Sequence, residues 1–147
     1  MSLVVVDASI AKKKLFAEIY SDKTEQLFQD AAGTRQRIVA PPLLTVEITN
    51  VVRKRMVSEG LTLARGIASI DDFLLLPITL LDPPGLHHQA LTFAAAHSLG
   101  AHDAHYVALA YLFGCELWVD DRRMLRAVQG RLPFVKWIGD YASTSNA

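Results

Sequence analysis

The chain has 147 residues, of which 51% are hydrophobic and 20% are charged, and this composition excludes an intrinsically disordered protein. A single cysteine, Cys115, excludes a disulfide framework and a cysteine-rich zinc site, and it is typical of a reducing compartment. Because 15 basic side chains balance 15 acidic ones, bulk charge alone would not hold the protein on nucleic acid. The amino terminus lacks the basic region of a signal peptide, and the longest uncharged stretch contains prolines and glycines, so we expect a soluble, cytoplasmic protein without a membrane span.

Short β-branched runs alternate with helical patterns along the chain. Strands are predicted at residues 3–6, 38–40, 77–81, 117–119 and 134–136. Ser9 is expected to cap a helix that runs to about Ile19, and further helices are predicted at about 23–32, 43–58, 61–75, 85–98, 102–113 and 121–128. This alternation predicts one α/β domain over residues 1–141, with a mainly parallel sheet covered by helices on both faces, and a frayed tail over 142–147.

Two acids directly follow predicted strands. Asp7 ends the first strand, and Asp121 follows the strand 117–119, with Asp120 beside it as a rival for any role. Parallel sheets bind ligands at the carboxyl ends of their strands, so both positions are natural places for a functional site. Each acid could equally cap the helix that follows it, and either residue alone leaves both interpretations open.

Two further acids fall on apolar faces of predicted helices. Leu44 precedes Glu47 by three residues and Val51 follows it by four, so the three side chains are expected to share one face. Val107 follows Asp103 by four residues in the same way. A lone carboxylate on such a face needs a partner or a metal ion, because its desolvation costs several kcal/mol. Glu47 could instead reach water at the edge of its stripe, and Asp103 could cap its helix.

Together, the four acids are better explained by one shared cleft than by separate caps. Converging carboxylates repel one another by about 3 to 4 kcal/mol per pair at 4 to 5 Å, with an effective dielectric of about 20. A divalent cation or protonation relieves this repulsion, and oxygen ligands favour Mg²⁺ or Mn²⁺ over zinc. Such a cation ringed by basic side chains suits phosphoester chemistry. The candidate phosphate contacts are Lys12, Lys13, Lys14, Arg53, Arg122 and Arg123.

Other chemistries have weaker support in the sequence. His87 and His88 are adjacent, so their side chains diverge by about 100° on a helix and cannot share one metal ion. No glycine-rich dinucleotide-binding motif follows the first strand, and no Gly-x-Ser-x-Gly motif indicates acyl transfer. A modest role for His102 or His105 in substrate contact near Asp103 stays open.

Four segments then occur in a recognisable order: Leu-Val-Val-Val-Asp-Ala-Ser, Val-Glu-Ile-Thr-Asn-Val-Val-Arg-Lys, His-Asp-Ala-His-Tyr-Val-Ala-Leu-Ala and Leu-Trp-Val-Asp-Asp-Arg-Arg-Met. In this order they resemble the motifs of PIN-domain nucleases, and the length of the chain and its ending Trp-Ile-Gly-Asp-Tyr resemble VapC-like ribonuclease toxins of type II toxin–antitoxin systems. The resemblance implies a PIN-like three-layer sandwich. It also implies metal-dependent endoribonuclease cleavage of structured RNA, commonly transfer RNA.

The resemblance also implies roles for individual residues and partners. The acidic pocket that binds Mg²⁺ or Mn²⁺ and carries catalysis would be formed by Asp7, Glu47, Asp103 and Asp121. Ser9 and Asn50 match supporting polar residues of the family, and Lys13 matches a frequent basic residue. The usual assembly of the family is a homodimer, and its toxin members are inhibited by a small antitoxin protein that fills the groove.

The sequence departs from the family pattern near its fourth acid. Val119 stands where the family usually has Thr or Ser, and it cannot form the hydrogen bond that helps to orient the site. Asp120 replaces a small residue and is a candidate outer-shell ligand, and Lys14 stands where a bulky apolar residue is common. We expect an active endoribonuclease toxin. The alternatives are a weak or silent PIN-like module that binds RNA or protein, and a PIN nuclease that processes RNA outside any toxin system.

Overall fold

A computed structural model describes residues 2–143. Its strands form one parallel sheet and are β1 (Leu3–Val6), β2 (Arg37–Ala40), β3 (Ile78–Leu80), β4 (Leu117–Val119) and β5 (Val135–Trp137). The order across the sheet is β3-β2-β1-β4-β5. From β1 the chain moves outward to β2 and β3 on one side, and later to β4 and β5 on the other. The direction of winding therefore reverses between β1 and β4.

Within the described part of the chain, seven α-helices accompany these strands. They are α1 (Ala8–Ala11), α2 (Ser21–Gly33), α3 (Leu43–Glu59), α4 (Leu63–Leu74), α5 (Leu86–His97), α6 (Ala101–Phe113) and α7 (Arg122–Val128). Two 3-10 turns lie at Lys12–Lys14 and Ile138–Asp140. The predicted strands and all helices after the first are confirmed, with boundaries that differ by at most two residues. None of the described helices is long and apolar enough to cross a membrane.

The core lies on both faces of the sheet, because successive residues of a strand point in opposite directions. Val5 belongs to the larger core, together with Leu44 of α3 and Leu109 of α6. Val4 and Val6 belong to a smaller core that α2 covers. Burial on both sides explains why β1 is continuously apolar instead of alternating. The predicted α/β sandwich with helices on both faces is confirmed.

The segment after β1 differs from its prediction. The sequence pattern predicts a helix to about Ile19, but α1 ends at Ala11 and a 3-10 turn follows it. The ammonium group of Lys13 is buried and donates to the carbonyl oxygen of Ile19 at 2.8 Å. The chain therefore folds back over this side chain instead of continuing as a helix. At the other terminus, residues 144–147 of the predicted tail lie outside the described residues.

Candidate active site

The carboxyl ends of β1 and β4 place two of the predicted site acids next to each other. These strands are hydrogen-bonded neighbours, with Val6 opposite Trp118. Asp7 follows β1 directly, and Asp121 lies two residues after β4. The winding of the sheet reverses between these two strands, and at such a reversal the helices that follow are expected to diverge and leave a crevice. Open parallel sheets commonly bind their ligands in such a crevice.

Asp7 and Asp121 are both helix N-caps, as the capping interpretation expects. The prediction that Ser9 caps the first helix is wrong, because Ser9 lies within α1. Oδ1 of Asp7 accepts hydrogen bonds from the backbone N–H of Ile10 at 3.2 Å and from the hydroxyl of Ser9 at 2.6 Å. Oδ1 of Asp121 accepts from two first-turn amides of α7, at 3.0 and 3.1 Å. Among residues 2–143, no hydrogen bond involves Oδ2 of either acid. Capping and ligand binding are therefore compatible, because each acid uses only one oxygen for its helix.

The charge on Asp7 is strongly disfavoured by its surroundings. Asp7 is only 5% exposed, and its burial is the main cause that raises its pKa from 3.8 to about 7. The negative charges of Asp103 and Asp121 raise this pKa further, while its own hydrogen bonds lower it. The pKa of Asp103 is also raised, first by burial and then by the charges of Asp121 and Glu47. These mutual effects mean that the structure brings the four predicted acids into one region.

Glu47 lies beside the apolar stripe of α3 rather than in its middle. The fully buried positions of this helix are Leu44, Ile48 and Val52, whereas the side chain of Glu47 is 22% exposed. The expectation that Glu47 lies on the buried face is therefore only partly correct. Its Oε2 lies 3.5 Å from Nδ1 of His102, so the carboxylate reaches the edge of α6.

Tyr106 is a site residue to which the sequence analysis gave no role. It is buried, and its hydroxyl donates a hydrogen bond to Oε1 of Glu47. Burial and the negative charge of Glu47 both raise the pKa of this hydroxyl, so it keeps its proton. Tyr106 follows Asp103 by three residues, and this spacing places both on one face of α6. That spacing is the signal that could have identified it.

Asp103 lies in the first turn of α6 but does not cap it. The N-cap is Gly100, which provides no side-chain hydrogen bond. Val107, one turn further on, is fully buried, so Asp103 does continue the apolar face as predicted. Within the part of the chain that the structure describes, the carboxylate of Asp103 accepts no hydrogen bond, and the nearby charges of Arg123 and His102 offset only part of the rise in its pKa. Both of its oxygens are therefore available to a ligand.

The basic residues predicted to bind phosphate fall into two groups. Arg53, Arg122 and Arg123 are exposed, and Lys12 is half-buried at 3.6 Å from a carboxylate oxygen of Glu18. These four side chains can reach a phosphate group without a change of fold. Lys14 is instead paired with an acid of α2.

Lys13 and Asp120 belong neither to the exposed basic residues nor to the cluster of four acids. The side chain of Lys13 is only 3% exposed, and its ammonium lies 2.8 Å from Oδ2 of Asp120. The other oxygen of Asp120 accepts a hydrogen bond from the indole of Trp137 at 3.0 Å. The ammonium of Lys13 is thus engaged inside the protein, so its predicted contact with phosphate would require this ion pair to break. This arrangement also leaves Asp120 without a free oxygen for the outer-shell role that its position suggests.

The two remaining predicted positions have simple environments. Asn50 is exposed on α3, about one turn from Glu47, where it can act only on a bound ligand or a neighbouring chain. Val119 is fully buried and packs into the larger core, so the apolar residue is compatible with this fold. Neither observation changes the acid cluster.

The donor set fits a hard divalent cation. The free donors are carboxylate oxygens, which Mg²⁺ and Mn²⁺ prefer, and a cation would offset the repulsion that raises the pKa of Asp7 and Asp103. Among residues 2–143, no three His, Cys, Asp or Glu side chains already have the spacing of metal ligands, so binding would require side-chain movement. Asp103 has no protein partner to lose in such a movement.

A large cavity lies away from these acids. It has a volume of about 940 Å³ and is lined at the amino ends of β1 and β4 by Leu3, Cys115, Glu116 and Tyr141, among others. None of the four acids lines it. The cavity and the acid cluster therefore suggest functional sites at opposite ends of the sheet. The acid cluster is the better candidate, because its side chains combine burial, like charge and free oxygens.

Comparisons with known proteins agree with this description. The family model for the PIN domain matches residues 4–130. A VapC ribonuclease of Mycobacterium bovis is 30% identical over 131 residues, which cover 89% of this chain and 95% of the relative. Ribonuclease VapC9 of Mycobacterium tuberculosis matches with the same identity and coverage.

Solved structures share the fold. A Pyrobaculum aerophilum protein has a TM-score of 0.65 at 20% identity and covers 94% of this chain and 92% of its own. VapBC2 from Rickettsia felis, bound to a DNA fragment from its promoter, also has a TM-score of 0.65, at 13% identity, with coverage of 92% and 96%. A toxin–antitoxin complex from Klebsiella pneumoniae has a TM-score of 0.57 at 15% identity, with coverage of 90% and 95%. The match of the family model over most of the chain, on a sheet that brings the expected acids together, shows that this chain belongs to the PIN-domain family.

Proposed function

We propose that this protein is a Mg²⁺- or Mn²⁺-dependent endoribonuclease, and that it is the toxin of a toxin–antitoxin pair that acts on structured RNA in the cytoplasm. The observation that carries the proposal is the buried carboxylate of Asp7, which faces the charges of Asp103 and Asp121 where β1 and β4 end. Relatives of similar length that are named VapC ribonucleases support the reaction class. Transfer RNA is the first substrate to test.

Four acids would hold the cation: Asp7, Glu47, Asp103 and Asp121. When bound, Mg²⁺ or Mn²⁺ supplies Lewis-acid polarisation of the phosphoryl group and offsets the negative charge that collects there. Asp7 holds one fixed position, because its Oδ1 is committed to Ile10 and Ser9. The unpartnered Asp103 can adjust to the position that the ion requires. One carboxylate can also accept the proton of the attacking water.

Glu47 is oriented by its neighbour on α6. Because the hydroxyl of Tyr106 keeps its proton, it donates to Oε1 and directs Oε2 of the same carboxylate away from the core. His102, on the exposed side, lies close to Oε2. Glu47 therefore holds one oxygen toward the exposed edge of α6 in a defined direction.

Exposed arginines supply RNA binding. Arg122 and Arg123 open the helix that Asp121 caps, and Arg53 lies on α3 six residues after Glu47. Exposed guanidinium groups bind phosphate oxygens in pairs, and binding of this kind weakens as salt increases. Because the net charge of the chain is zero, these exposed arginines and not the overall charge would provide the attraction.

We also propose an antitoxin partner and a homodimer. Large apolar side chains are exposed on α4, where Leu63, Ile67 and Leu74 are 66%, 53% and 62% exposed, and on α5, where Leu91 is 72% exposed. Apolar surface of this kind marks interaction sites on soluble domains. Two of the structurally similar proteins are toxin–antitoxin complexes. Light scattering after gel filtration distinguishes a dimer from a monomer, and co-purification with the product of an adjacent gene tests the antitoxin.

The central test is cleavage of bulk transfer RNA in the presence of Mn²⁺. We expect Asp7→Asn and Asp103→Asn each to lower the rate on the order of 10³-fold, because several kcal/mol of charge stabilisation are lost. Both variants should stay folded, since asparagine can replace Asp7 as a helix cap and Asp103 does not cap its helix. Asp71→Asn, an exposed change on α4, is the matched control and should cleave like the wild type. Full activity in both site variants would exclude this mechanism.

A second function is favoured by one observation. Val119 brings no hydroxyl group to the end of β4, and it is fully buried in the core. A wild-type protein that neither cleaves RNA nor binds Mn²⁺ would be a PIN-like binding module. Calorimetric titration with Mn²⁺ distinguishes the two functions, because only the nuclease requires saturable binding that Asp7→Asn removes.

A further inference from the structure

An ion pair is buried beside the acid cluster without belonging to it. The ammonium of Lys13 lies 2.8 Å from Oδ2 of Asp120, and the two side chains are only 3% and 20% exposed. The same ammonium donates to the carbonyl of Ile19 at 2.8 Å and lies 3.4 Å from Glu18. Oδ1 of Asp120 accepts from the indole of Trp137 at 3.0 Å. The carboxylate of Asp120 is therefore held at both oxygens.

The backbone of Asp120 connects this ion pair to the site. Its N–H donates to Oγ of Ser9 at 2.7 Å, across 111 residues of sequence. The hydroxyl of Ser9 in turn donates to Oδ1 of Asp7 at 2.6 Å. A serine hydroxyl has a single proton, and the hydrogen bond from Asp120 occupies one of its lone pairs. The position of the Asp120 backbone thus determines the direction in which Ser9 donates.

We propose that Lys13 and Asp120 are positioning residues that act through Ser9 to hold Asp7 in the orientation that leaves its Oδ2 without a protein partner. The consequence for catalysis rests on the proposed function, but the orientation of Asp7 does not. Neither residue touches the cation or the RNA in this scheme. Both act by fixing the place where β4 ends against the turn that follows β1.

The energetics of the ion pair are consistent with a positioning role. A buried ion pair usually contributes little net stability, because desolvation of the two charges offsets their attraction. A pair of this kind is instead expected to specify one arrangement of the segments that it joins. Here the arrangement is specified at a loop end, where the chain has no strand pairing beyond Val119 to fix it.

The test uses two variants of the pair and one matched control. Lys13→Met keeps the length of the side chain and removes its charge, and Asp120→Asn keeps an acceptor for Trp137 while removing the charge. Glu25→Gln cuts the ion pair of the neighbouring Lys14 instead, which involves α2 and no residue of the site. Calorimetry with Mn²⁺ gives the dissociation constant. The Ile10 amide donates to Oδ1 and to the backbone carbonyl oxygen of Asp7, and the Ala11 amide donates to the same carbonyl oxygen. Hydrogen exchange of the Ile10 amide relative to that of Ala11 therefore reports the orientation of the Asp7 carboxylate without metal or RNA.

We expect Lys13→Met and Asp120→Asn to raise the Mn²⁺ dissociation constant about 10- to 100-fold, the usual effect of changing an outer-shell partner. Exchange of the Ile10 amide should accelerate in both variants, and Glu25→Gln should leave both quantities unchanged. If Lys13→Met does not fold, Asp120→Asn decides the question. Unchanged exchange and affinity in the folded variant would overturn the proposal.

A purely structural role is excluded by combining these changes with Ser9→Ala. If the pair acts through Ser9, then Lys13→Met should have little further effect on Ile10 exchange or Mn²⁺ affinity once the hydroxyl is absent. Fully additive effects would overturn the proposal. Should the wild-type protein fail to bind Mn²⁺, the proposed nuclease function fails, while the exchange of Ile10 still confirms or overturns the positioning of Asp7.

Discussion

Asp7 and Asp103 carry the same functional group, but the protein surrounds the two carboxylates differently. Asp7 is 5% exposed, and its Oδ1 accepts two hydrogen bonds. Asp103 is half-buried on the first turn of α6, and among the described residues its carboxylate accepts none. Burial is the main cause that raises the pKa of each, and the pKa of Asp7 reaches about 7.

The contrast indicates a division of labour within the site. A buried and hydrogen-bonded acid provides a fixed reference point for a cation, but its charge is costly until the cation arrives. A half-buried acid without partners costs less and can move to complete the coordination. The structure therefore combines one preorganised ligand with adaptable ones, and each of the following experiments tests this difference.

The largest expected effect is on the pH dependence of stability. Because the pKa of Asp7 is about 7 in the folded protein and has its ordinary value of 3.8 in the unfolded chain, the folded form binds more protons between these values. The free energy of unfolding should therefore fall as pH rises from about 4 to about 7, by a few kcal/mol at roughly 1.4 kcal/mol per pKa unit. Asp7→Asn should remove this decline and be more stable than the wild type at pH 8. Urea unfolding across this range measures it.

Asp103→Asn is the comparison for that experiment. Its wild-type carboxylate is more exposed, so most of the decline with pH should persist in this variant. If the two variants changed the pH profile equally, the buried and the half-buried acid would be equivalent, and the proposed division of labour would fail.

A second, smaller effect is expected on metal affinity. We expect Asp7→Asn to raise the Mn²⁺ dissociation constant at least about 100-fold, because a fixed neutral oxygen cannot replace a fixed charge. Glu47→Gln should raise it about 10-fold, because water can substitute on the exposed side. Isothermal calorimetry at pH 8 measures both values. A larger loss for Glu47→Gln than for Asp7→Asn would reverse the proposed order.

The smallest expected effect is on RNA binding, where an exposed and a buried basic residue should differ. Arg123 is exposed, whereas Lys13 is buried in an ion pair. Arg123→Ala should weaken RNA binding several-fold and reduce the slope of log affinity against log salt by about 1. Lys13→Met should leave that slope unchanged. Binding of fluorescent RNA at several salt concentrations, with Asp7→Asn included in each protein to prevent cleavage, tests this. An equal change of slope would mean that Lys13 does reach phosphate.

Features with a local cause could be predicted from the sequence. The apolar runs of β1 and β4 identified strands, and the acids that end them identified the edge of the sheet where the site lies. Gly60, with a φ of 67°, ends α3 where its sequence pattern stops. In each of these cases the residues that determine the structure are neighbours in the chain.

Features with a distant cause could not be predicted. Tyr106 and Glu47 are 59 residues apart, and Ser9 and the amide of Asp120 are 111 apart. Because the sequence does not show which loops meet, Lys13 was predicted to contact phosphate and Asp120 to be an outer-shell ligand. The early end of α1 has the same origin, because burial of the Lys13 ammonium outweighs the local preference for a longer helix.

The position of β5 in the chain determines when the site is completed during synthesis. β5 lies beyond residue 130, where the family match ends, and its Trp137 provides one of the two anchors of Asp120. Translation proceeds from the amino terminus, so all four acids leave the ribosome before this indole does. A nascent chain therefore holds every proposed cation ligand while it still lacks part of the framework that aligns them, and the site matures only after Trp137 has been synthesised.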